Sequence, residues 1–179
     1  MARIHVMGAS GAGTSTLGKA LATRLGVAFF DTDDYYWEEK YSVKREIEQR
    51  LVMMERDFKG HEDWVLSGAL SNWGTPLERL FDVVVFLEVP REVRLDRLVN
   101  REHQRYGEAI LPGGSRYEEH LAFVAWASRY EDGDVDVRSK KLHEVWFQKL
   151  NCPVLRVTGD MTVDEEVARV LAELDGRQY

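Results

Sequence analysis

The stretch Gly8-Ala9-Ser10-Gly11-Ala12-Gly13-Thr14-Ser15-Thr16 decides how this chain is read, because an apolar strand pattern runs into it and a helical pattern runs out of it. Ahead of it, Ile4, Val6 and Met7 form a short β-type run; behind it, Leu17, Ala20, Leu21 and Leu25 share one helical face. Glycines at 8, 11 and 13 remove side chains, so that successive backbone N–H groups can converge on an anion. The helix that follows adds its free N–H groups and positive dipole end. Strand, glycine turn and helix in this order predict a cradle for a di- or triphosphate.

The spacing Gly8, four residues, Gly13, then Thr14-Ser15 agrees with the P-loop pattern G-x-x-x-x-G-K-[ST] at every fixed position except the lysine. Thr14 stands in the lysine's place and keeps a hydroxyl donor without a charge. Ser15 is the expected Mg2+ ligand. Gly8, Gly11, Ala12, Gly13, Thr14, Ser15 and Thr16 are thus the expected nucleotide-binding residues. Losing one donor to developing charge costs roughly 10²- to 10³-fold in rate, and an arginine brought from elsewhere is worth about 10³- to 10⁵-fold. A replacement cation would therefore suffice. Lys19 is nearest in sequence, but it lies about 200° around the helix from Leu17, away from the core.

The 179 residues suit one domain, 1–179, with 44% hydrophobic and 31% charged residues. A net charge of −7 argues against general nucleic-acid or anionic-membrane binding, and no apolar run approaches about 18 residues. The single Cys152 has no disulfide partner, and no signal-peptide pattern precedes the glycine stretch. These features predict a cytoplasmic protein, monomeric or homodimeric.

Strand patterns recur at 3–8, 27–31, 64–67, 83–89 and 154–158 with helical patterns between them, which predicts an α/β fold around a parallel sheet. Ligands in such sheets sit beyond the carboxyl ends of the strands, so the acidic run Asp31-Thr32-Asp33-Asp34 should face the crevice of the glycine loop. Asp31 could hold Mg2+ through water, and Asp33 could orient or deprotonate an acceptor hydroxyl. The alternative is that they cap a helix through Tyr35-Tyr36-Trp37. Val43, Ile47, Leu51, Met54 and Phe58 follow a helical period, with Arg45 and Arg50 on the other face; Arg45 could take the anionic end of an acceptor. Gly68, closing the third strand pattern, would let a substrate approach the backbone.

After Pro90, a helical pattern points Leu95, Leu98 and Val99 inward. Arg94, Arg97, Arg101 and Arg105 lie within about 80° of its circumference, which suggests an anion to neutralise them; the alternative is a solvated face balanced by Glu92, Asp96 and Glu102. Arg97, Arg101 and Arg105 are the candidates to replace the lysine in catalysis. Pro112-Gly113-Gly114 is a hinge signal leading into an aromatic segment flanked by Arg116 and Arg129, suited to a lid or to packing. The turn Gly159-Asp160 could pack a nucleotide base, and Thr162 with Glu165 predicts a capping box for the last helix.

Together, the loop 8–16, the strand end Asp31-Thr32-Asp33 and the segment Arg97-Leu98-Val99-Asn100-Arg101 resemble the P-loop small-molecule kinases, in particular the adenylate kinase and shikimate kinase groups. The resemblance implies a three-layer fold with a five-stranded parallel sheet ordered 2-3-1-4-5. It further implies ATP with Mg2+, an acceptor-binding region near 34–60 and a helical lid near 102–130. It places Asp33 on the acceptor, Asp31 on the metal and Arg101 on the adenine. The implied activity is phosphoryl transfer to a small metabolite, a nucleotide or nucleoside first, a shikimate-type metabolite second. A protein that binds nucleotide without transfer, having lost the lysine, is the competing reading.

Overall fold

The structure, a computed structural model, describes residues 2–176. In chain order its elements are β1 (Arg3–Gly8), α1 (Thr14–Leu25), β2 (Ala28–Asp31), α2 (Thr32–Tyr36), β3 (Trp37–Glu39), β4 (Val43–Lys44), α3 (Ile47–Phe58), β5 (Trp64–Ser67) and β6 (Val83–Glu88). They continue with α4 (Arg91–Tyr106), α5 (Tyr117–Ser128), α6 (Lys140–Phe147), β7 (Val154–Thr158) and α7 (Val163–Asp175), with short 3₁₀ turns at Thr75–Leu80 and Gly107–Ile110.

Five strands form one parallel sheet in the order β2-β5-β1-β6-β7. Counting sheet strands alone, that is 2-3-1-4-5, as the resemblance implies. The register sets Ile4 beside Val65 and Val83, and Gly8 beside Leu87. Val83 to Leu87 are buried throughout, because helices cover both faces of this strand. On one face Leu17 and Leu21 of α1 and Val170 of α7 close over Ile4, Val6, Val65, Val83 and Val85. On the other, Met54 and Phe58 of α3, with Tyr130, cover Met7, Trp64, Leu66 and Phe86. Burial of these side chains contributes roughly 1.5–3 kcal/mol each relative to exposure.

The start of the region after α2 departs from the sequence pattern. The helix expected from Val43 begins at Ile47, and Val43 instead pairs with Glu39 in the antiparallel β3–β4 hairpin. Val43 and Ile47 fit the helical period, yet both are exposed; of that series the core buries Met54 and Phe58, with Leu51 partly buried against it. Tyr41 at φ 69° makes the hairpin turn, and the Arg45 N–H donates to Tyr36 O at 2.9 Å, holding the returning strand. The final helix starts as expected: the Thr162 hydroxyl and the Glu165 side chain cap each other's backbone.

Candidate active site

The glycine loop is wedged between β1 and the start of α4, and its glycines are required there by neighbours. A Cβ on Gly8 would stand 2.6 Å from Leu87 O; one on Gly11, where φ is 84°, would stand 2.1 Å from Arg94 O. Gly13, at φ 98°, is the N-cap of α1 and offers no side-chain acceptor to the first turn. The leading N–H groups of α1 thus face the loop with no cap of their own, the arrangement that binds phosphate.

Beside this cradle the carboxyl end of β2 brings in Asp31. Its Oδ2 accepts from Ser15 Oγ at 2.6 Å and from Ser67 Oγ at 3.3 Å, while Oδ1 accepts from the Asp33 N–H at 3.0 Å and caps α2. Asp31 thus caps α2 through Oδ1, while Oδ2 faces Ser15 and Ser67 beside the cradle. A hydroxyl, a carboxylate and room for phosphate oxygens form the oxygen-donor set that suits Mg2+. Asp33 sits at the same strand end. Partial burial and the neighbouring Asp31 charge raise its pKa above the usual carboxylate value, an effect that Arg138, Arg101 and Lys40 partly offset. Asp34 is an exposed partner of Lys40 at 2.7 Å.

The arginine stripe of α4 divides between different tasks. Arg94 is fully buried: its Nε and Nη2 donate to the Glu131 carboxylate, the former at 2.8 Å, and Nη1 lies 3.5 Å from Ser10 O. The inward face of α4 is thus Arg94, Leu98 and Glu102, and Val99, expected inward, is exposed. Arg97 bonds Asp160 at 2.8 Å and borders a pocket of about 520 Å³ that Ala12, Gly13, Thr16, Thr162 and Glu166 also line. Asp160 thus lies beside the cradle together with Arg97, and Arg101 does not line this pocket; Gly159 itself has φ 125° and donates to Glu88 O. Burial raises the Glu166 carboxyl in that pocket to about 7. Arg101 instead lies on the Asp33 side.

Three further expected site residues, Arg105, Arg45 and Gly68, have close protein neighbours. Arg105 stacks on the Tyr41 ring at 4.1 Å and donates to its hydroxyl at 3.1 Å. Arg45 donates to Tyr35 O and Trp37 O at 3.2 and 3.0 Å, clamping α2 to β3, so it secures the wall rather than projecting from a helix. Gly68 has φ 106°, and a Cβ there would lie 2.0 Å from Thr32 Oγ1, so its Cβ side faces α2. Arg50 is buried on Tyr36, 4.1 Å from its ring, and Lys19 lies over Phe29.

One residue of the site carries no sequence signal. Arg138, in the turn before α6, donates through Nη2 to Gly8 O at 2.7 Å, so its guanidinium reaches the first glycine of the cradle. Its Nε is buried without a partner among the described residues, and burial pulls its pKa down. Its neighbour Ser139 is recognisable as the N-cap of α6, but a lone arginine in an acidic turn has no periodicity to mark it.

The parallel sheet, the glycine cradle at its central strand and the carboxylate at the adjoining strand end define a P-loop protein of the α/β class. Residues 4–120 match the AAA-domain family, and the chain belongs to it. It is 51% identical over 168 residues to the uncharacterized protein YqaC of Bacillus subtilis, covering 94% of each chain. To a shikimate kinase of Bacteroides fragilis it is 33% identical over 144 residues, 71% of this chain and 76% of that one. The solved shikimate kinase from Acinetobacter baumannii in complex with shikimate shares the fold at a TM-score of 0.60 and 17% identity, over 100% of this chain and 96% of that one. Among the described residues no helix is long and apolar enough to cross a membrane.

Proposed function

We propose that this protein is an ATP-dependent kinase that phosphorylates a hydroxyl of a small anionic metabolite. The observation that carries the proposal is Asp31 joined to Ser15 at 2.6 Å beside an uncapped α1, with Asp33 at the same strand end among Arg101, Arg138 and Lys40. ATP with Mg2+ supplies the phosphoryl group: the acceptor oxygen bonds to the γ-phosphorus as the bond to the β-phosphate oxygen breaks, and ADP leaves. Ser15 and Asp31 would hold the metal, Asp31 directly or through water. The backbone of 11–16 would hold the β-phosphate, and the pocket between Arg97 and Thr162 the base. Asp33 orients the acceptor hydroxyl and receives its proton; burial and the neighbouring Asp31 charge raise its pKa, which makes it a stronger base than an ordinary carboxylate. Arg101 neutralises charge on the acceptor side.

A shikimate-type hydroxy acid is the acceptor class that the cations around Asp33 and the similarity to shikimate kinases support. Nucleosides and nucleoside monophosphates form the competing arm. The test is ADP release from Mg-ATP against shikimate, sugar acids, nucleosides and nucleoside monophosphates. Stimulation by a hydroxy acid, lost in Asp33→Ala while nucleotide binding survives, is the expected result. Nucleotide binding with no acceptor stimulating turnover sinks the kinase reading and favours a non-catalytic nucleotide-binding protein.

A further inference from the structure

We infer that Arg138 supplies the positive charge that the lysine-less cradle lacks, its guanidinium turned toward the β- and γ-phosphates of a nucleotide seated on residues 8–16. The inference rests on the nucleotide-binding reading above and names a residue that α4 was expected to provide.

The cradle itself brings no cation. Thr14 ends in a hydroxyl and a methyl, and that methyl lies 3.3 Å from where a Gly8 Cβ would be. A lysine at this position would start next to Gly8, whose carbonyl already accepts from Arg138 Nη2 at 2.7 Å.

The other arginines near the loop pair with carboxylates or stack elsewhere, Arg97 doing so while its Nη1 also reaches Ala12 O at 3.5 Å. Arg94 is paired with Glu131, Arg97 with Asp160 and Arg116 with Glu119, while Arg105 rests on Tyr41. Arg138 forms no ion pair among the described residues, and its buried Nε has no acceptor there. A guanidinium carries five donors and no acceptor, so the half-buried Arg138, with Gly8 O as its hydrogen-bond partner among the described residues, keeps donors unused beside the cradle. Phosphate oxygens are the acceptors such a fork matches, in charge as well as geometry. Arg101, also without an ion pair among the described residues, is exposed and forms no hydrogen bond with the cradle backbone there.

Isothermal titration of Mg-ATP and Mg-ADP separates the possibilities, using wild type, R138M, R101M, T14K and T14K/R138M. A charge aimed at the γ-phosphate favours ATP over ADP. R138M should lose that preference by about tenfold or more, T14K/R138M should regain it, and R101M should keep it. Phosphoryl transfer should fall at least about 100-fold in R138M. T14K alone adds a cation where one already stands, so ATP affinity should rise less than about threefold. An unchanged ATP preference in R138M, its loss in R101M instead, or a tenfold gain in T14K each overturns the inference while leaving the kinase reading intact. Should R138M not fold, T14K decides alone. A wild-type protein that binds neither nucleotide fails earlier and removes both readings.

Discussion

Replacing Gly11 by alanine tests the wedge between the cradle and α4. Two costs combine at this position. An L-residue at φ 84° costs about 1–2 kcal/mol. The new Cβ would also stand 2.1 Å from Arg94 O, where real contacts stay beyond 3.0 Å, so loop and helix must part by about 1 Å. Overpacking of that kind adds about 1–3 kcal/mol. Gly26 provides the control, because it has φ 69° with nothing within 4 Å of a Cβ, so G26A carries the conformational cost alone, about 1 kcal/mol. Gly13, at φ 98° with Arg97 Nη1 at 4.0 Å, should behave like Gly26 in stability while sitting in the cradle. Urea unfolding followed by circular dichroism should therefore rank G11A well below G13A and G26A, with G11A losing about 2–5 kcal/mol. Calorimetry should show nucleotide binding impaired in G11A and preserved in G26A. A G11A protein within about 0.5 kcal/mol of G26A would refute the argument, since the Arg94 contact would then carry no cost.

Other expectations concern buried charge, metal and pH. Truncating Glu131 to alanine leaves the fully buried Arg94 without its carboxylate, so unfolding measurements should show a loss of about 3 kcal/mol, partly recovered in R94M/E131L; a loss under about 1 kcal/mol contradicts the pairing. Asp31→Ala should weaken the Mg2+ dependence of nucleotide binding by about 10- to 100-fold and leave metal-free ADP binding within about twofold, as titration at varied Mg2+ would reveal. His5 and His143 are buried neutral, held down to about 4 and about 3 by burial. Their folded pKa values lie below the unfolded 6.5, so the unfolded chain takes up protons first. The stability that they confer is complete above about pH 6.5 and drains as pH falls toward 4 and 3, by about 1.4 kcal/mol per pH unit for each. Urea midpoints at pH 7, 6 and 5 should fall accordingly, and an H143F variant whose pH dependence stays as steep would argue against a neutral His143.

The parts of the site written in contiguous sequence were legible, and those made by distant segments were not. Glycine spacing announces the cradle because backbone N–H convergence needs those residues at those positions, and the sheet is legible because each strand is a short apolar run followed by a helical period. Val43 misled because its spacing fits a helix, whereas the Tyr41 turn and the Arg45 clamp, which make the hairpin, have no period. On α4, Arg94 and Glu102 share the buried face with Leu98, so a rule that sends charge outward assigned the stripe to phosphate as a block. The structure divides it between Glu131, Asp160 and Tyr41. Arg138 lies 130 residues from the glycine it touches, beyond the reach of any local pattern.

Arg3 stands at the foot of β1, where its guanidinium and its N–H both engage Asp82 just ahead of β6. From there β1 climbs six residues to the cradle, about 20 Å, and α7 descends thirteen residues from the pocket beside Arg97, again about 20 Å. An affinity handle, a fluorophore or a sensor-chip tether joined ahead of Arg3 or beyond Asp175 would therefore hang from the underside of the molecule. Immobilised in either way, the protein would present its mouth to the flowing solution, so surface-based titrations with nucleotides and acceptors should read the same constants as titrations free in solution.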